Sequence, residues 1–383
     1  MGTLSEKIPY EVLHNSVLFD SEWYKEKYGI SGDPVEHYLS IGWKVGFNPS
    51  DKFSTLRYLD LLGDDVADHE MNPLLHYELY GKSEKRLDRF WRITEECNLS
   101  GKGLEIGPSI NPICPKKYGY DIEILDHTDQ EGLRQKYKEH SNVASLIERI
   151  EEVDYVWKGE DYRELIGKEN YYDYIIASHV IEHTTDLIGF LEQCSALLKE
   201  GGVLSLVVPD KRYDFDFFRE NSNLAHVIGQ HMLMNGHHSR GGVAEYFLRV
   251  VQLNQKIAWN QKILESNQDF RFVHSKEDLQ KVLNAEGYVD IHEWVFTPGS
   301  FRLLMNDLHE LGFLKYLYEA SFCSGTENTC EFYISLKKKS VHDISEQPFN
   351  QKKRLELGLY KIQEEMDFYY RLKQAWQFDY TQD

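Results

Sequence analysis

Short apolar runs recur through the middle of the chain, at residues 104–106, 122–125, 174–177, 203–208 and 330–336, each bounded by polar or turn-forming residues. They have strand length and alternate with helix-like stretches, which predicts an α/β unit with a mainly parallel sheet and helices on both faces. The unit is expected over residues 98–339. Four of its blocks end in a small or acidic residue: Gly107 after the first, Asp126 after the second, Ser178 after the third, Asp210 after the fourth. Open α/β sheets bind ligands outside the carboxyl ends of their strands, so these positions should line one crevice. Residues 210–270 break the rhythm, being rich in His, Asn and Gly and then helix-like over 243–264, and read as an insertion or lid. Further on, His292, Trp294, Phe296 and Thr297 alternate as in a strand that would put the first three on one face. This segment reads as fold rather than chemistry.

Two flanking regions follow other patterns. In residues 1–97, Phe19, Ser21, Tyr24, Pro34, His37, Tyr38 and Gly42 recur as Phe53, Thr55, Tyr58, Pro73, His76, Tyr77 and Gly81. Each copy predicts a pair of short helices, because Asp or Asn before Pro starts a helix and Gly ends one. One copy is marginal alone, and two can share a core. The paired His37 and His76 suit packing or helix-end hydrogen bonds better than a metal. In residues 340–383, Leu355, Leu359, Ile362, Met366, Tyr369 and Trp376 follow a spacing near 3.5, broken at Lys373. This is an amphipathic helix, either a dimerising seam or a helix folded onto its own domain.

Composition narrows the chemistry. With 43 Lys and Arg against 63 Asp and Glu, the formal charge is -20, which repels phosphate backbones and argues against a nucleic-acid partner. Five cysteines, an odd number scattered through element-like sequence, fit reduced thiols in the cytoplasm. Residues 1–10 lack an apolar signal core, and no apolar run reaches the roughly 18 residues of a membrane span.

The ends of the blocks hold the candidate chemistry. Glu105, Gly107, Pro108 and Ser109 form the first turn, where a glycine lets backbone approach a ligand. Asp126 follows about twenty residues later, the spacing at which nucleotide folds place an acid for the ribose hydroxyls. His179, Glu182 and His183 come after the third block and would share a face if a helix began there. Two imidazoles and a carboxylate can bind a divalent metal, or one imidazole can deprotonate an alcohol. Asp210, Lys211, Arg212, Asp216 and Arg219 then make a rim of mixed charge suited to a polar acceptor.

Together these blocks, with the Gly201–Gly202 turn before the fourth run, resemble the class I S-adenosylmethionine-dependent methyltransferases. The resemblance implies a doubly wound, Rossmann-like, seven-stranded sheet and S-adenosylmethionine as cofactor. It implies that the first turn holds the methionine part of the donor, that Asp126 takes the ribose, and that Trp157, Gly159 and Glu160 line the adenine with Ser178 beside the site. The usual further glycines of the first turn are here Ser109, Asn111 and Pro112. Metal-dependent members carry Glu, two residues, then Glu-His where this chain has His179, Glu182 and His183. That likeness implies a Mg, Mn or Zn site completed by His237 or His238 of the insertion. The catalytic candidates are thus His179, Glu182, His183 and Asp210, and the metal candidates His179, Glu182, His183 and His238. The N-terminal repeats resemble segments attached to bacterial glycosyltransferases and other polysaccharide-assembly proteins, which implies a saccharide or polysaccharide acceptor and glycosyltransferase partners. The expected activity is O-methylation of a sugar hydroxyl. The alternatives are a non-catalytic scaffold of glycan assembly, and methylation of a small metabolite or an RNA ribose.

Overall fold

The computed structural model describes residues 4–62, 71–85, 87–138, 146–233, 236–264, 269–284, 287–326, 328–340, 342 and 350–376. The chain divides into two compact units. One comprises Met1–Glu95, Leu99–Gly101 and Cys114–Ile122, the other Glu96–Asn98, Lys102–Ile113 and Glu123–Asp383.

In the first unit both copies of the repeat fold alike. Asp33 caps the helix Pro34–Ser40, and Asn72 caps Pro73–His76. The hydroxyl of Tyr24 lies 2.9 Å from Nδ1 of His37, and that of Tyr58 lies 3.0 Å from Nδ1 of His76. A Cβ on Gly42 would sit 2.0 Å from the Tyr24 oxygen, and one on Gly81 would sit 2.1 Å from that of Tyr58. Each glycine is therefore the space its tyrosine occupies. Phe19, Tyr24 and Tyr38 of one copy and Phe53, Tyr58 and Tyr77 of the other are buried in a single cluster, the shared core the repeat requires.

The second unit is built on strands. In chain order they are β1 (Gly103–Ile106), β2 (Ile122–Asp126), β3 (Tyr155–Val156), β4 (Tyr172–Ser178), β5 (Leu198–Pro209), β6 (Val251–Leu253), β7 (Phe270–Phe272), β8 (Leu317–Cys323) and β9 (Glu331–Lys338). Seven form one sheet, in the order β3-β2-β1-β4-β5-β9-β8, while β6 and β7 pair separately. β4 runs parallel to β1 and β5, and β9 is antiparallel to β5 and β8. The seven-stranded Rossmann-like sheet expected from the sequence is present. The order turns back between β1 and β4, the switch point at which such sheets open a crevice. Leu104, Ile106, Ile175, Ala177, Leu204 and Leu206 are fully buried there against the helices Leu187–Leu197 and Pro298–Glu310.

Three expectations need correction. Residues 243–264 are not one helix: Arg240–Arg249 ends at β6, whose Val251 and Leu253 are buried on either side of Gln252; Asn254 and Gln255, at positive φ, turn the chain so that Leu253 bridges Lys256, and β6 pairs antiparallel with the later β7. Alternating burial thus overrides a helix-like composition. Residues 292–297 are extended but belong to no strand; Trp294 N donates to Glu182 O, and Lys211 N donates to Phe296 O. The apolar alternation there serves a segment buried on both faces. Third, no α-helix begins at His179, as described below.

The helix Gln351–Trp376 lies along Pro298–Glu310, with Glu364 accepting from Gly299 N and Arg354 forking onto Asp307. Only Leu357 and Leu372 are buried on it. Leu355, Leu359, Ile362, Met366 and Tyr369 are each more than half exposed. Among the described residues, no helix is long and apolar enough to cross a membrane.

Candidate active site

The turn after β1 is shaped by its own hydrogen bonds. Glu105, buried, accepts from Ile113 N at 2.6 Å and so folds residues 107–113 back over the strand end. Gly107 has φ +63° and donates to Leu125 O at 2.8 Å. A Cβ there would lie 2.8 Å from Val180 Cγ2, so the glycine is required twice, by its dihedral and by the approach of the segment after β4. Ser109, at φ +51°, donates its amide to Asp126 Oδ2 at 3.0 Å, and its hydroxyl donates to Tyr137.

Asp126 is buried at the end of β2 and also accepts from His127 N and Nδ1. A carboxylate has about four lone-pair sites, which leaves room for a ligand hydroxyl. Trp157 follows β3, its Nε1 donating to Glu160 O and its ring packing edge-on to Tyr162, while Glu160 Oε2 accepts from Lys158 N. Gly159 has φ +109° with open space where a Cβ would point. The expected donor residues Glu105, Gly107, Pro108, Ser109 and Asp126 thus cluster at the ends of β1 and β2, with Trp157, Gly159 and Glu160 after the adjoining β3.

Beyond Ser178 the chain does not enter a helix. His179 sits at φ +55°, its amide bound to Val207 O, and a single 3-10 turn spans Ile181–His183. This kink splits the expected trio. His179 turns its Nε2 to Glu331 Oε2 at 2.8 Å and keeps Nδ1 3.6 Å from Glu182 Oε1. Glu182 is fully buried, and among the described residues neither carboxylate oxygen has a hydrogen-bond partner. A bare buried carboxylate is costly, so a cation or a donor belongs beside it.

Besides His179, two imidazoles lie close to it. His292 Nε2 lies 4.0 Å from Glu182 Oε1, and its Nδ1 lies 2.5 Å from Asp216 Oδ2. His183 stacks edge-on to His292 with ring centres 4.7 Å apart, and its Nδ1 lies 2.9 Å from Asp290, an ion-pair contact rather than an aligned hydrogen bond. The ligand atoms of Glu182, His183 and His292 all lie within 4.8 Å of one another, as do those of Asp214, Asp216 and His292. Burial pulls the His183 pKa down, but Asp290, Glu182 and Asp216 outweigh it and leave the value raised. In return His183 holds Asp290 at about 2. Asp214 is pushed well up by burial and by the charge of Asp216. Asp216 goes the other way: burial would raise it, but His292 and Arg219 bring it down.

The remaining candidates are placed elsewhere. Asp210 is buried and forked by Arg212, which also pairs with Glu364 at 3.3 Å, so its carboxylate is committed to closing the rim. His238 is buried with Nδ1 3.3 Å from Glu293, which is also bound by His226 at 2.9 Å and Ser239 at 2.7 Å. His237 is exposed. The chain thus brings Glu182 close to His179 on one side and to His183, His292, Asp216, Asp214 and Asp290 on the other, while His238 lies with Glu293. His292, read from the sequence as fold, lies within this cluster; its alternating pattern gave no sign of it, since the partners are remote in sequence.

A family model described as a methyltransferase domain matches residues 75–293. The chain belongs to that family and is an S-adenosylmethionine-dependent methyltransferase. Among solved structures, it is similar to the PH0226 protein of Pyrococcus horikoshii OT3 (14% identity, 68% of this chain and 92% of that one, TM-score 0.32). It is also similar to the CcbJ methyltransferase of Streptomyces caelestis (10%, 66% and 89%, 0.35) and to the glycopeptide N-methyltransferase MtfA complexed with S-adenosyl-L-homocysteine (13%, 67% and 90%, 0.30). No curated protein sequence matches the chain.

Proposed function

We propose that this methyltransferase transfers the methyl group to a hydroxyl of a saccharide, as an O-methyltransferase assisted by a divalent metal. The observation that carries the metal is Glu182, a fully buried carboxylate with no hydrogen-bond partner among the described residues, faced by His183 and His292, whose Nδ1 atoms rest on aspartates. Metal-binding histidines usually place their other nitrogen on a carboxylate, which fixes the tautomer and aims the ligand nitrogen. Two histidines and a carboxylate suit a transition metal or zinc, with positions left for a substrate oxygen. When bound, the ion supplies Lewis acidity that eases loss of the hydroxyl proton. Glu182, His183 and His292 would hold it, with Asp216 and Asp290 orienting the two rings.

The donor is read onto the ends of β1 and β2, with Gly107 to Ser109 at its methionine part, Asp126 at the ribose, and Trp157 to Glu160 at the adenine. Methyl transfer needs oxygen, methyl carbon and sulfur in line, so positioning by these turns supplies much of the acceleration. The saccharide rests on the tandem repeats, which resemble those of polysaccharide-assembly proteins, and on the charged rim after β5. On the ground of the repeats, glycosyltransferases of that pathway are the expected partners; the five scattered cysteines make the cytoplasm the expected compartment. The exposed seam Leu355, Leu359, Ile362, Met366 and Tyr369 suits a second copy of the chain.

A second reading keeps the acceptor but makes His183 a plain base, favoured by its Asp290 partner and its partial exposure. Turnover on a panel of oligosaccharides and nucleotide sugars, with and without chelator, separates the two. Loss in EDTA and recovery with Mg2+, Mn2+ or Zn2+ supports the metal, and undiminished turnover in EDTA leaves His183 as the base. Methylation confined to small metabolites or ribose would overturn the saccharide. An Asp126→Ala variant that bound the donor as well as the parent would misplace the cofactor site.

A further inference from the structure

The segment after β5 has two faces. One carries Asp214 and Asp216 toward His292. The other, with the helix Gln351–Trp376, encloses a groove of about 460 Å³. Two bonds join the walls: Arg212 to Glu364 at 3.3 Å, and Asn221 Nδ2 to Glu365 at 3.0 Å. Arg219 belongs to both faces. It donates to Asp216 and to His292 O, and it also lines the groove.

The lining has two chemistries. Phe217, Phe218, Phe368, Tyr369 and Trp376 present ring surface, and flat aromatic faces match the C–H faces of sugar rings. Lys211, Arg212, Arg219 and Lys373 line it with Glu220 and Glu365; Arg212 is paired with Asp210 and Glu364 and Arg219 with Asp216 and Glu245, which leaves Lys211 and Lys373 as the cations without a carboxylate partner among the described residues. Lys211 donates to Phe217 O, and no carboxylate among the described residues pairs with it. Burial pushes its pKa down, against the pull of Asp214, Glu220 and Asp210. Arg219 is 2% exposed, and its Nε–H has no acceptor among the described residues. A half-buried ammonium and an unsatisfied guanidinium N–H in one groove call for an anionic oxygen ligand.

We propose that this groove is an acceptor subsite for an acidic oligosaccharide, whose uronate carboxylates meet Lys211, Arg219 and Lys373 while its rings lie on the aromatic wall. A singly charged carboxylate fits better than a dianionic phosphate, because Glu220 and Glu365 share the lining and temper its positive charge. Arg219, which lines the groove and also bonds Asp216 and His292 O, links a ligand held there to the cluster around Glu182. The proposal rests on the saccharide reading above and adds the charge of the acceptor.

Calorimetry on the full-length protein, with acidic tetrasaccharides cut from polygalacturonate, hyaluronan and alginate and with maltotetraose as neutral control, tests it. At least one acidic probe binds, at least tenfold more tightly than maltotetraose, and added salt weakens it. Lys373→Glu, at an exposed position, cuts that affinity about tenfold or more, and Lys211→Gln does the same. Tyr369→Ala weakens acidic and neutral probes alike. Affinity unchanged in Lys373→Glu, equal binding of the neutral control, or no binding by any acidic probe would overturn the subsite. If neutral saccharides are nonetheless methylated, the saccharide reading stands and only the groove falls; if no saccharide is bound or methylated, both fall.

Discussion

Two glutamates at opposite ends of one sheet have opposite surroundings. Glu123, on β2 near its amino end, accepts from Tyr155, Tyr172 and Lys168 and lies 3.3 Å from Lys102. Burial alone would raise its pKa, yet these donors hold it at about 2. Glu182, beyond the carboxyl end of β4, is more deeply buried and has no hydrogen-bond donor among the described residues. A carboxylate surrounded by donors stabilises the fold, whereas one left bare among imidazoles is held ready for something the protein itself does not supply. The amino end of the sheet is finished structure; the carboxyl end is where substrates bind.

The largest expected effect comes from Glu182→Gln. Turnover should fall by about a thousandfold, roughly 4 kcal/mol of barrier, while the thermal midpoint in chelator holds or rises because a buried charge has been removed. Added Mn2+ or Zn2+ should raise the midpoint of the parent and not of the variant. A variant that kept its turnover would end the contrast between the two glutamates.

Glu123→Gln should do the reverse. It removes the charge that faces Lys168 and Lys102 and turns one acceptor oxygen into an NH2 donor among donors, so denaturant unfolding should report a loss of about 2–3 kcal/mol, with turnover per folded molecule unchanged. Acid sharpens the same point. A carboxyl whose folded pKa is depressed contributes stability above its unfolded value, and that contribution is lost as the pH falls through the folded value. For Glu123 the window runs from the ordinary 4.5 down to about 2. The parent should lose about 1–3 kcal/mol there, and Glu123→Gln should show a flatter profile. The smallest effect belongs to the repeat unit: His37→Ala removes the partner of Tyr24 and should cost about 1 kcal/mol with no change in metal response, since that histidine, unlike His292, has a tyrosine for a neighbour and no bare acid.

Glu123 and Glu182 also mark what the sequence could reveal. The runs that became β1, β2, β4, β5 and β9 were legible because strands buried on both faces are continuously apolar. β8, residues Leu317–Cys323, was not: only Leu317 in it is buried, so its pattern is that of an edge. The Glu-His pair stood out by its place after a strand. Its neighbours did not, because His292 and Asp216 reach it from buried segments and Asp290 from an exposed one, none of which follows a period. The helix that would have given His179, Glu182 and His183 one face is excluded by the positive φ of His179, a dihedral that no residue type there announces.

The paired tyrosine–histidine clasps of the first unit imply one thing more. Between Tyr24 and Tyr58 the offset is 34 residues, and between His37 and His76 it is 39, yet both clasps close with the same bond and the same missing side chain at Gly42 and Gly81. The segment joining tyrosine to histidine can therefore grow by five residues without disturbing the joint. The clasp behaves as a fixed coupling on a line of variable length, so this part of the chain can be lengthened by whole units, or within one, without designing a new core.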